Sequence, residues 1–129
     1  MTKPFALSEI SQAALTVDDL DRAVEFYRDT LGLKFLFRAP NMAFFECGAV
    51  RLLLGSREVS GNAPGGALLY FKVADMDEAH KALAGRGVHF DGEPHMVGRM
   101  PDREIWLAVF RDSENNLFHL ICEKPVKAG

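Results

Sequence analysis

TVDDLDRAVEFYRDTLGLKF, residues 16–35, decides the fold. It reads as the end of a strand, a capped amphipathic helix, a glycine stop and the start of a second strand. Asp18 or Asp19 can accept hydrogen bonds from the free amides at the helix start, and Asp21 adds charge that the helix dipole favours there. Leu20, Ala23, Val24, Tyr27 and Leu31 recur at helical spacing and form one apolar stripe. Gly32 follows the last turn, where a left-handed residue commonly ends a helix. Leu33, Phe35 and Phe37 then alternate with Lys34 and Arg38, a strand pattern that only Leu36 interrupts.

The same punctuation returns in VADMDEAHKALAGRGVHF, residues 73–90. Val17, Asp19, Asp21 and Ala23 map onto Val73, Asp75, Asp77 and Ala79 at an offset of 56 residues. Gly32, Leu33 and Phe35 map onto Gly87, Val88 and Phe90 at an offset of 55, so the second helix is one residue shorter. Strand, helix and following strand match in order, which predicts two similar modules packed as one domain.

Outward from these stretches, residues 1–7 read as a loose arm and 8–17 as the first strand. Strands are expected at 33–39, 42–48 and 50–55, with turns at Pro40-Asn41 and Gly48-Ala49. The first module is therefore 8–55. The polar, glycine-containing segment 56–65 is expected to link it to a second module, 66–124. There the reading gives a strand over 66–74, a helix over 75–85, and strands near 88–91 and over 94–99, 104–110 and 117–123. Asp112-Ser-Glu-Asn-Asn116 is the turn before the last strand. Each half reads strand–helix–strand–strand–strand.

Composition sets the outer limits. The chain has 129 residues, enough for one domain with a substantial core, and 48% hydrophobic and 26% charged content is ordinary for a globular protein. A net charge of −3 with scattered Lys and Arg gives no electrostatic case for nucleic acid or an anionic membrane. No apolar run is long enough to span a bilayer, and the N-terminus lacks a signal-peptide core, so a cytoplasmic location is expected. Cys47 and Cys122 lie in apolar strand-like runs and read as buried free thiols.

The residues QAALTVDDLDRAVEFYRDTLGLKF (12–35) resemble the opening of the vicinal oxygen chelate superfamily, which includes glyoxalase I, the bleomycin-resistance proteins and the extradiol dioxygenases. ALLYFKVADMDEAHKALAGRGVHF (67–90) resembles the start of that family's second module, and WLAVFRDSENNLFHLICEKP (106–125) its closing strand pair. The usual Asp-Pro-x-Gly-Asn turn is changed here to Asp112-Ser113-Glu114-Asn115-Asn116. The resemblance implies an α+β fold: two βαβββ modules whose mixed sheet curls into a cup, with the helices outside. It also implies a homodimer, in which each cup is built from both chains.

The same resemblance places the family's metal-ligand positions. The first, usually His, falls at Gln12. Its counterpart in the second module falls at Leu68, 56 residues on. The closing-strand ligand, usually Glu, falls at His119, and the middle one near Leu53. Leucine offers no lone pair, so no divalent metal or other cofactor is expected; Gln12 and His119 are the donors if a metal is held. Strand alternation extends this face to Ala14, Tyr70, Trp106, Ala108, Phe110, Leu117 and Ile121. Leu15, Val17, Leu69, Phe71, Leu107, Val109, Phe118 and Leu120 are expected beneath the helices. A cup walled by Leu53, Leu68, Tyr70, Trp106, Phe110 and Ile121, with Gln12 and His119 as its polar groups, suits a small, mostly apolar or aromatic molecule. The plainer reading is that these aromatics fill a closed core.

Glu104 shares the parity of Trp106 and is a weak candidate for a general base; a solvated edge carboxylate is its default. His95–Pro101 reads as a surface loop or a lid beside the cup. Function is thus expected to be binding of a small molecule, by sequestration, in a cup with a degenerate metal site. The alternatives are a metal-dependent lyase, isomerase or dioxygenase (lactoylglutathione lyase-like or dioxygenase-like) and a structural dimer with a filled cup.

Overall fold

The computed structural model describes residues 5–7, 9–60 and 68–126. Its elements run β1 (Gln12–Thr16), α1 (Leu20–Glu25) continued by a π-helical turn (Phe26–Thr30), β2 (Lys34–Ala39), β3 (Met42–Cys47), β4 (Val50–Gly55), α2 (Arg57–Ser60), β5 (Leu69–Lys72), α3 (Met76–Gly85), β6 (His95–Met100), β7 (Arg103–Arg111) and β8 (Leu117–Pro125). They form two four-stranded sheets with strand orders β1-β4-β3-β2 and β5-β8-β7-β6. Each opening strand lies parallel to the last strand of its own module, and the remaining pairs are antiparallel. The repeat seen in the sequence is thus a repeat of topology: two mixed sheets with helices, not closed into a barrel.

The local signals act as their chemistry requires. Asp19, rather than Asp18, caps α1, its carboxylate accepting from the Arg22 amide at 3.1 Å. Asp75 caps α3 in the same way through the Glu78 amide at 3.0 Å. Gly32 ends the first helix at φ +78°, where a side chain would be strained. The first helix is not one regular helix, however. Leu31 donates to Phe26, five residues back, so its second half is a π turn.

Leu36, which broke the strand alternation, sits in a β-bulge between Phe35 and Phe37. The second module has a bulge between Met96 and Gly98. Both lie on outer strands, where a bulge blunts an edge against further pairing. The strand expected near 88–91 reduces to one bridge, Phe90 with Phe110. The segment expected as linker begins with the short α2, and its remainder, 61–67, lies outside the described residues.

One apolar core joins the modules on their helix-facing sides. Tyr27 is buried between Phe45 and Phe118, with ring centroids 5.9 and 6.0 Å away. Around it is a polar clamp made by the 112–116 turn. Asp112 accepts from the Tyr27 hydroxyl at 2.5 Å, and Asn116 Nδ2 donates to the Thr16 carbonyl at 3.0 Å. Glu114 accepts from the amides of Asp18 and Asp19 at 3.0 and 2.7 Å and from Arg22 Nε at 2.6 Å.

Burial alone would raise the Glu114 carboxyl, but the bonds from Arg22 and the Asp19 amide outweigh it and hold it below its ordinary value of 4.5. Its stabilisation is therefore fully present above that value and fades as pH falls through the lowered one. Glu114→Ala should lower the unfolding free energy by about 3 kcal/mol, because it strands buried donors. Urea denaturation followed from pH 7 down to 3 checks this: the loss should shrink on acidification, and a loss independent of pH would remove the clamp's electrostatic origin.

Candidate functional site

In each sheet one face is spent on the core. Leu15, Ala43, Phe45, Leu52 and Leu54 are buried on one side of the first sheet, and Phe110, Phe118, Leu120 and Cys122 on one side of the second. Residues of opposite parity form the open faces, and these carry the candidate site.

On the first sheet the open face brings Gln12 and Leu53 to neighbouring rows. Gln12 is opposite Arg51, and Leu53 is opposite Ala14 on one side and Phe44 on the other. The Gln12 amide oxygen accepts from Arg51 Nε at 2.7 Å. The Arg51 guanidinium carbon lies 5.6 Å from the Phe44 ring centroid, and Phe44 stacks on Phe37 with centroids 4.3 Å apart. Arg51, Phe44 and Phe37 were not expected from the sequence as site residues. The alternation along β3 and β4 could have found them, since Phe45, Leu52 and Leu54 define the other face.

On the second sheet Tyr70 and His119 are register partners and stack, with ring centroids 4.7 Å apart and planes 24° from parallel. Tyr70 keeps 50% of its surface exposed and Leu68, just before β5, keeps 47%. Ile121 lies on the same face, opposite Leu107. His119 Nδ1 is enclosed without a hydrogen-bond partner among the described residues. Burial, then the neighbouring His95 imidazole, pushes the His119 pKa below its ordinary value of 6.5. The ring is therefore held neutral, with one nitrogen unsatisfied.

Trp106 and Phe110 do not share this face. Val109 stands opposite His119, and Leu107 opposite Ile121, so the expected parity of β7 is shifted by one residue. Phe110 is fully buried and stacks on Phe118 at 5.6 Å. It also borders a cavity of about 280 Å³ on the helix side, together with Leu31, Phe71 and Leu83. Trp106 packs against the core, donates from Nε1 to Glu104 Oε1 at 3.1 Å, and lies under the Lys124 ammonium at 4.2 Å. Glu104 is thus engaged by Trp106, away from the His119 face. Ala108 is buried with the core, while Leu107 and Val109 take the open face. The cause is plain in the sequence: residues 105–110 are all apolar, so no alternation marks which side is which. His95–Met100, read as a loop or lid, is the edge strand β6, and His95 stands opposite Leu107.

No hydrogen bond or ring contact joins the Gln12–Arg51 group to the Tyr70–His119 pair among the described residues. The donor chemistry at the positions expected to ligate a metal is poor. Leu53 and Leu68 have no lone pair, and the Gln12 oxygen is already taken by a guanidinium, which would repel a dication. Among the described residues no group of three or more His, Cys, Asp or Glu side chains is placed to hold an ion.

Comparison with known proteins follows the architecture. YraH, an uncharacterised protein of Bacillus subtilis strain 168, is 33% identical over 129 positions, spanning 87% of this chain and 96% of that one. The crystal structure of a glyoxalase/bleomycin resistance protein/dioxygenase superfamily member from Sphaerobacter thermophilus is 31% identical, with a TM-score of 0.72 over 91% of this chain and 98% of the other. That of a lactoylglutathione lyase from Agrobacterium tumefaciens is 27% identical, with a TM-score of 0.73 over 90% and 94%. Proteins of this group often bind a divalent metal and are commonly dimers that bind small molecules. The profile of the family matches residues 9–120, and the chain belongs to the glyoxalase/bleomycin resistance protein/dioxygenase superfamily.

Proposed function

We propose that this protein binds a small, mostly apolar or aromatic molecule, without a divalent metal, in a cup completed by a second copy of the chain. The observation that carries the reading is the Tyr70–His119 stack. An aromatic pair with half of Tyr70 exposed lies on an open sheet face beside Leu68, Leu107, Val109 and Ile121. Such a surface favours a flat apolar ligand. His119 is the polar group of this face, a ring that can donate from one nitrogen and accept at the other. Sequestration of the bound compound would need no further chemistry. Two free cysteines, Cys47 and Cys122, fit a cytoplasmic setting.

A homodimer accounts for the separation of the two groups. Gln12, Arg51 and Leu53 lie on one sheet and Tyr70 and His119 on the other, and a partner would set one group against the other. Exposed Leu36, Met96 and Val97 on the edge strands β2 and β6 supply apolar surface for that contact. The second reading, a metal-dependent lyase, isomerase or dioxygenase, draws on the likeness to the lactoylglutathione lyase but meets the donor set described above. Metal analysis of protein purified without chelator separates the two. Less than one equivalent per chain, with no rise in melting temperature on adding zinc, nickel, iron, cobalt or manganese, is expected; stoichiometric metal lost in His119→Ala would make the enzyme reading the better one.

Sedimentation equilibrium should report twice the 14.3 kDa chain mass; a monomer at micromolar concentration would remove the shared cup. Mass spectrometry under native conditions should detect a co-purifying small molecule, and Tyr70→Ala should weaken its binding by about 1–3 kcal/mol. In the free protein the His119 Cε1–H resonance should titrate below 6.5, and Tyr70→Ala should move the midpoint back up by exposing the ring. An upward shift in the native protein would reveal an acidic partner and change the site's chemistry.

A further inference from the structure

Among the described residues Arg51, like Arg86 and Arg99, is a cation with no acid within ion-pair distance. Arg22, Arg28, Arg38, Arg57, Arg103 and Arg111 each reach an Asp or Glu oxygen within 4.0 Å. Arg51 reaches none among the described residues, although Glu46 is its direct cross-strand partner on the same face. Instead Gln12 holds Nε at 2.7 Å and the Phe44 ring lies beneath the guanidinium, its centroid 5.6 Å from the central carbon. These two contacts fix one edge and one face of the guanidinium. Among the described residues its two terminal nitrogens have no protein acceptor. Beside it, Phe37 and Phe44 are stacked 19° from parallel, and Phe37 keeps 47% of its surface exposed.

A positioned guanidinium next to an exposed aromatic pair matches one ligand chemistry well. The fork of N–H groups fits a carboxylate, and the ring pair fits a planar aromatic body. We propose that the open face of the first sheet recognises a planar aromatic monocarboxylate, with its ring against Phe37 and its carboxylate on the Arg51 terminal nitrogens. This rests on the ligand-binding reading above and narrows it to a charge class. Gln12 acts as a positioning residue, turning Arg51 through its amide oxygen. Glu46 limits the ligand to a single negative charge, because a second anionic group beside it would be repelled.

The test compares 2-naphthoate with its neutral isostere 2-naphthamide by isothermal titration calorimetry on the full chain. Native protein should bind the acid about tenfold more tightly than the amide, the scale of one charge-assisted contact. Arg51→Gln should erase that preference while leaving the amide's affinity in place. Glu46→Gln, which keeps Arg51, should widen it, and Phe37→Ala should weaken both probes together. Each variant is at an open-face position, and an unchanged unfolding midpoint verifies the fold. Equal affinity for both probes, with Tyr70→Ala still weakening them, would overturn the charge assignment and leave apolar binding standing. A preference that survives Arg51→Gln would move the anion site elsewhere. No binding of either probe would overturn both this inference and the reading it rests on.

Discussion

The structure depends on one carboxylate placed at the start of a helix. Glu114, its side chain removed from solvent, accepts from the amides of Asp18 and Asp19 and from Arg22. Those amides are donors that the first turn of α1 cannot satisfy from within the helix. The second module thus supplies what the first module's helix lacks. The turn that delivers Glu114 is itself built around a buried acid. Asp112 Oδ1 takes the amides of Glu114 and Asn116, and its Oδ2 takes Asn116 Nδ2 and the Tyr27 hydroxyl. Burying two carboxylates is costly unless nearly every lone pair is used, and here they are used across the seam between the modules. Burial, then the nearby Asp112 charge, pushes the Tyr27 phenol well above its ordinary range, so it remains a donor to Asp112 at physiological pH.

Much of this could be read from the chain because each local signal has a single physical meaning. Asp19 and Asp75 cap, Gly32 stops a helix at positive φ, and Leu36 marks a bulge by breaking a strand pattern. Asn115 adopts φ +68° where the family resemblance has glycine, a conformation asparagine tolerates better than most residues. The paired offsets of 56 and 55 residues then fixed the order of elements in both halves. What could not be read was the polar clamp. Asp112, Glu114 and Asn116 look like ordinary turn residues until the partner surface is known, because turns and buried networks draw on the same residue types.

The site was legible only where polarity alternates. His119 interrupts the apolar strand β8, which marks the open side of the second sheet, whereas Gln12, expected on the same face, stands at the start of β1 on the other sheet. Residues 105–110 carry no such interruption, and Phe110 went into the core with Ala108 while Trp106, partly buried, packs against it. In a strand covered on one side and facing an apolar surface on the other, hydrophobicity ceases to encode direction. Register then comes from the neighbour: Val109 faces His119 because β8 alternates clearly from Phe118 to Cys122. A strand whose own sequence is ambiguous is best oriented through its better-marked partner.

That asymmetry also bears on how the fold makes function. The helix-facing sides are committed: Tyr27, Phe45, Phe110 and Phe118 fill them, and changes there act on stability. The open faces are held in position by that core yet contribute few of its contacts, so Phe37, Arg51, Tyr70 and His119 can vary with little cost to folding. Rigid sheets therefore present a surface whose chemistry is set almost independently of the scaffold. On such a surface stacking or a single oriented guanidinium requires only two or three side chains on a strand face. The core and the clamp at Glu114 hold the open faces in place, so the chemistry those faces present is decided by the side chains they carry and not by the fold.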